Sequence, residues 1–235
     1  MKKWIIGIVT VALLVVVGGP FVYFHFIETK APPKLSIDTV TVPTTVAGAT
    51  GTTSKSGSTT APLAGTWKIA TSSIVRYRVK ETLFGQSATA VGSTSTVTGS
   101  LTIAGTQLTK ADFSVDMTTV KSDRSQRDEQ FQGRIMDTSD FPTGTFTLTS
   151  PVSLAPVAKD GVEADYTAKG KLMLHGKTND VTLTLQTKRT GNVIVVVGST
   201  PITFSDYNIG NPSGGPASVG NTGTLEFALQ FQPAT

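Results

Sequence analysis

From Gly65 onward, apolar side chains recur at every second position, and a period of two confines a chain to extended strands with one face buried. In Ser73 to Lys80, Ser73, Val75, Tyr77 and Val79 share one face, and Ile74, Arg76, Arg78 and Lys80 share the other. The same alternation returns in Leu101 and Ile103, in Phe113, Val115 and Met117, in Phe146 and Leu148, and in Leu172 and Leu174. It continues in Val181, Leu183 and Leu185, in Val193, Val195 and Val197, and in Leu225, Phe227, Leu229 and Phe231. Turn residues punctuate these runs at Ala104-Gly105-Thr106, Lys159-Asp160-Gly161, His175-Gly176-Lys177 and Thr190-Gly191-Asn192, where glycine supplies backbone angles that other residues avoid. About eight short strands of this kind predict an all-β antiparallel sandwich or closed barrel. An eight-stranded barrel is just wide enough to be packed solid or to hold one small ligand.

One stretch breaks the pattern. Ser122 to Pro142 is charged and compatible with a helix, and within it Phe131, Ile135 and Met136 fall at i, i+4 and i+5 on one helical face. Ser122 or Asp123 can cap its start. A short helix here either closes a barrel end or connects two strands while its apolar stripe seals the core.

The region before Gly65 has a different character. Trp4 to Ile27 contains no Asp, Glu, Lys or Arg and follows Lys2 and Lys3; as a helix it exceeds the roughly 30 Å hydrocarbon core of a bilayer. A cleaved signal peptide shares these marks. The apolar run continues past Gly18 and Gly19 through Phe26, however, and Pro20 occupies the position after a cut at Gly19, so an uncleaved single-pass transmembrane anchor is expected over residues 1–27. With Lys2 and Lys3 held on the cytoplasmic side, everything beyond Glu28 is expected outside the cytoplasm; cleavage would make the product secreted. Residues 28–64, rich in Thr, Ser, Gly, Ala and Pro, read as a flexible linker, leaving residues 65–235 as the folded domain.

Charge and residue content exclude several functions. The formal net charge is +4, but residues from Gly65 onward carry 15 Lys or Arg against 14 Asp or Glu, so the surplus belongs to the membrane end. A nearly neutral domain lacks the basic face that nucleic acid requires. Absence of cysteine removes disulfides, thiolate nucleophiles and cysteine-ligated zinc together. Only His25 and His175 are present, and His25 lies in the apolar run, so the domain has no histidine triad or multi-histidine metal site. Motifs of serine hydrolases, metalloproteases and phosphate-binding loops are missing, so no catalytic residue, cofactor or metal is expected. Asp160, Glu163 and Asp165 lack the ligand rhythm of a calcium loop, and Gly210 to Pro216 reads as a loop at a barrel mouth. The sequence leaves a homodimer open.

An ordered set of short motifs resembles the YceI-like family of extracytoplasmic, lipocalin-like proteins associated with polyisoprenoid binding, over residues 65–233. They are Trp67 with Ser73-Ile-Val-Arg-Tyr77 after it, Val97-Thr-Gly-Ser-Leu-Thr-Ile103, Arg127-Asp128, Phe141-Pro142-Thr-Gly-Thr-Phe146, and the hairpin from Gly170 to Leu183. The chain departs from the family at Gln130-Phe131 and Ile135-Met136-Asp137, where the family has a His-Leu pair and a doubled Phe before Asp. What the resemblance implies is a lipocalin-like closed barrel with a long apolar tunnel that holds an isoprenoid or similarly elongated lipid without chemistry. Val75, Tyr77, Val79, Val115, Met117, Phe146, Leu172, Leu174, Phe227 and Leu229 are the inward-facing candidates, joined by Phe131, Ile135 and Met136 from the helical segment. Arg127 and Arg134 are candidates for a polar head group, since guanidinium pairs well with phosphate oxygens. A structural surface domain with a filled barrel is the competing expectation.

Overall fold

Strands that bury only one face close on themselves when enough of them pair, and these do. The computed structural model describes residues 30–40, 62–83, 85–214 and 217–234. In chain order the strands are β1 (Gly65–Ile69), β2 (Ile74–Leu83), β3 (Gln86–Thr94), β4 (Val97–Ala104), β5 (Gln107–Asp116) and β6 (Lys121–Ser122). A helix, α1 (Ser125–Gln130), runs into a π-helical turn (Phe131–Ile135), followed by β7 (Thr143–Leu148), β8 (Val152–Ser153), β9 (Glu163–Leu174) and β10 (Lys177–Thr190). The remainder is β11 (Val193–Thr203), a 3-10 turn (Phe204–Tyr207), β12 (Ala217–Val219) and β13 (Thr222–Pro233).

These pieces assemble into eight staves. β1 and β2 are successive lengths of one bent stave and β3 and β4 of the next, because Trp67 opposes Leu101 while Val75 opposes Thr94. β5 and β6 form the third, followed by β7, β9, β10, β11 and β13, each antiparallel to its neighbour. β13 then pairs with both β1 and β2, which closes the ring. Of the two architectures compatible with the alternation, the closed barrel is the one formed. β1, β3, β6, β8 and β12 lie outside the eight strands read from periodicity; β3 borders the interior only with Ala90, Gly92 and Thr94, too small or too polar to register as an apolar run.

The core divides along the barrel axis. At one end Trp67, Leu101, Ile103, Leu229 and Phe231 pack together. Trp67 is almost wholly buried, its Nε1 donates to the Leu63 carbonyl at 2.9 Å, and the Arg189 guanidinium sits 5.3 Å from its ring centroid. This end is closed. At the other, Val120, Phe131, Met136, Leu174, Phe204 and Tyr207 pack beneath α1 and the π turn.

The start of the helical segment differs from expectation. Neither Ser122 nor Asp123 caps it; Arg124 occupies the cap position in an extended conformation, and its side chain does not cap the helix. Asp128 is the reason. Its carboxylate is buried and needs donors, and it takes two from Ser122, backbone N and Oγ, each at 2.7 Å. Asp123 is drawn instead into an ion pair with Arg127.

Val193, Val195 and Val197 face outward, and with Ile74 and Ala228 they form an apolar patch outside the wall. Leu35, Ile37 and Val40 cover it, with Ile37 buried. Residues 30–40, expected as part of a free tether, are therefore a strap on the barrel. The anchor expected over residues 1–27 and linker residues 28, 29 and 41–61 lie outside the described residues. Among the described residues no helix is long and apolar enough to cross a membrane.

Candidate functional site

The inward faces enclose a cavity of about 860 Å³, within the range of small-molecule sites. Every side chain proposed from the sequence borders it. β2 contributes Val75, Tyr77 and Val79; β5 contributes Val115, with Met117 just past its end; β7 contributes Phe146. Leu172 and Leu174 come from β9, Phe227 and Leu229 from β13, and Phe131, Ile135 and Met136 from the π turn and its C-terminal edge. Arg127 and Arg134 stand at the helical end of the same cavity.

Glycine keeps the interior hollow. Gly92 opposes Tyr77 and Gly198 opposes Phe227 across the sheet. A Cβ on Gly92 would lie 2.3 Å from the Tyr77 ring, and one on Gly198 would lie 2.5 Å from the Phe227 ring. The rings lie against wall left bare by glycine instead of crossing the lumen, as aromatic cover of a strand glycine allows. Gly170 and Phe146 repeat the device. The hollow is open to the surface, so water or an apolar ligand can fill it.

The cavity reaches the surface between α1 and residues 211–214, where the exposed residues Gln126, Gln130 and Gly214 border it. The Tyr77 ring stacks on Phe131 with centroids 5.1 Å apart. Burial pushes its phenol well above the ordinary value, against the lowering effect of the nearby Arg127 charge, so it stays a neutral donor at physiological pH. Arg127 Nη2 donates to Glu81 Oε1 at 3.1 Å, and its other edge pairs with Asp123. Burial works to lower the Arg127 pKa, but the carboxylates of Asp123 and Glu81 outweigh it and the net direction is upward. Arg124, also on the rim, is lowered by burial and then by the Arg127 charge. Arg134 donates to the Asn211 and Pro212 carbonyls and to Gln130 Oε1, each at 3.0 Å. The two candidate head-group arginines thus also hold the mouth together, one fastening α1 to β2 and the other fastening the π turn to the loop after Ile209.

Several lining residues escaped the sequence reading. Glu81 falls on the inward parity of β2, two residues beyond Val79, and was legible there. Phe204 and Ile209 enter from the irregular stretch after β11, which has no period to read. His175 sits in the β9–β10 turn with its ring centroid 4.5 Å from that of Phe141, apart from the cavity lining. Among the described residues no cluster of three metal-ligating side chains forms. The arrangement can enclose a long apolar chain and present a phenol and three guanidinium groups near its opening.

The YceI-like domain model matches residues 67–231. Among solved structures, a polyisoprenoid binding domain from Saccharophagus degradans superposes with a TM-score of 0.59 at 17% identity, covering 73% of this chain and 99% of that one. BcnA from Burkholderia cenocepacia superposes with a TM-score of 0.55 at 19% identity, covering 71% and 99%. At these identities the likeness is one of fold. No curated protein matches the sequence.

Proposed function

We propose, since this chain belongs to the YceI-like domain family, that its barrel binds an elongated apolar lipid of isoprenoid type and performs no chemistry on it. The observation that carries the reading is the cavity: about 860 Å³, lined along its length by aliphatic and aromatic side chains, with charged groups gathered at one end. Each methylene buried there contributes about 0.8 kcal/mol, so a prenyl chain is retained without an ionic contact. Met117 and Met136 adapt to an irregular chain. The polyisoprenoid binding attributed to the Saccharophagus degradans domain supports the same ligand class. A polar head would lie near Tyr77, Arg127 and Arg134, exchanging with the bonds those arginines make. Binding takes place outside the cytoplasmic membrane, to which residues 4–27 tether the barrel, and serves storage or transport of the lipid.

Thermal titration tests this. Lipid-extracted protein saturated with a polyprenol at 100 times its Kd should gain about 2.7 kcal/mol of stability, a rise of roughly 5–11 °C in Tm for a domain of this size. An unchanged Tm at saturating polyprenol would count against the proposal.

A further inference from the structure

We infer that the strap formed by residues 30–40 holds the mouth of the barrel against the phospholipid bilayer, so that a lipid can pass between membrane and cavity directly. The inference rests on the reading of residues 4–27 as membrane-inserted.

The strap has a direction. The Pro32 carbonyl accepts from Arg78 Nη2 at 2.8 Å, the Pro33 carbonyl accepts from Arg76 Nη1 at 3.4 Å, and Ile37 packs on Ala228, which opposes Ile74. As the strap advances it moves down β2 from Arg78 to Ile74, away from Leu83 at the mouth and toward Trp67 at the closed end. Its N-terminal side is therefore the mouth side. Arg78 opposes Thr224, only two residues from the start of β13 at the mouth rim.

The attachment is firm. Arg78 Nε also donates to Glu226 Oε1 at 2.7 Å, and Glu226 is only 2% exposed although it points outside the wall. Breaking a buried carboxylate pair of this kind leaves an uncompensated charge and is strongly destabilising, the same guanidinium also holds the strap backbone, and burial of Ile37 adds to the attachment.

Chain length completes the geometry. Ile27 and Pro32 are five residues apart, a reach of at most roughly 18 Å. That is too short to hold the barrel far from the bilayer and, from a point near the rim, long enough for the mouth to meet it. The Thr, Ser and Gly-rich residues 41–61 follow the strap in sequence and do not lie between it and the membrane-inserted residues, so they do not set the distance between barrel and membrane.

The chain has no cysteine, so Ser87→Cys at the mouth and Thr106→Cys at the closed end each give one labelling site. Both positions are exposed and lie at opposite ends of the staves, roughly 30 Å apart. The full chain, carrying a fluorophore at one site, is reconstituted into phosphatidylcholine and phosphatidylglycerol vesicles that contain a lipid with a quencher on its head group. Flotation is scored in parallel. The expected result is flotation, strong quenching at residue 87 and little at residue 106. Flotation with equal quenching at both sites, or stronger quenching at residue 106, overturns the orientation while membrane insertion stands. Failure to float removes the insertion reading and the orientation with it, and polyprenol binding by the same chain shows whether the cavity reading survives. In Ile37→Asp/Arg78→Ala, quenching at residue 87 should fall to the level at residue 106 with flotation unchanged; persistence of the quenching also overturns the inference.

Discussion

Replacement of Trp67 by alanine should destabilise the barrel by roughly 3–5 kcal/mol, the range for truncating a fully buried aromatic side chain. For a domain of this size the corresponding fall in Tm is roughly 6–20 °C. The ring is 1% exposed and seals the closed end among Leu101, Ile103 and Phe231. Its loss also leaves the Leu63 carbonyl without the Nε1 donor and the Arg189 guanidinium without its aromatic face. Trp67→Phe separates these contributions: it retains most of the apolar volume and loses the hydrogen bond, with an expected cost of about 1 kcal/mol. Calorimetric melting of the two variants checks both values. A cost below about 1 kcal/mol for the alanine variant would show that this end is held by something other than the tryptophan.

The second large effect concerns binding. Val196 lines the cavity on β11, opposite Leu229, with Leu183 and Leu185 in the same lining. In Val196→Asp the introduced carboxylate can be hydrated when water fills the lumen, but an entering lipid must strip that water. Desolvation of an unpaired charge costs several kcal/mol, and since 1.4 kcal/mol is tenfold in affinity, polyprenol binding at neutral pH should weaken by roughly 100-fold or more. Burial beside lipid favours the neutral acid, so affinity should recover as the pH is lowered. Val196→Leu keeps the wall apolar and should bind as the native chain does. Fluorescence titration with a labelled polyprenol reads all three. A folded Val196→Asp variant with native affinity would place the ligand elsewhere.

Much of the cavity was legible because strand parity is rigid. Once Val75, Tyr77 and Val79 are placed inward, the pleat leaves no freedom for the next residues, and Glu81 was determined by the same rule. Phe131 and Met136 were legible for the analogous helical reason, although the last turn is π and not α. What escaped has physical causes. The hollow depends on residues without side chains, such as Gly92 and Gly198, which carry no apolar signal of their own and acquire meaning only when the register sets them against Tyr77 and Phe227. The cap was misplaced because Ser122 has a buried partner, Asp128, six residues away. The strap is hidden in the sequence because one buried isoleucine in a segment rich in proline and polar residues produces no periodicity; its hold comes from Arg76, Arg78 and Glu226, which lie far away in sequence. Alternation in Val193, Val195 and Val197 was real, yet it marks the outer face beneath that strap, with Ile194 and Val196 pointing toward the interior.

The most direct measurement is native mass spectrometry of the full chain, purified without organic solvent and followed by lipid extraction. The barrel described here predicts an added mass bound one to one, an extract containing an apolar lipid of isoprenoid type, and loss of both in Val196→Asp. A protein that carries the mass of the chain alone, yields no lipid on extraction and takes up none from polyprenol-containing vesicles would contradict it.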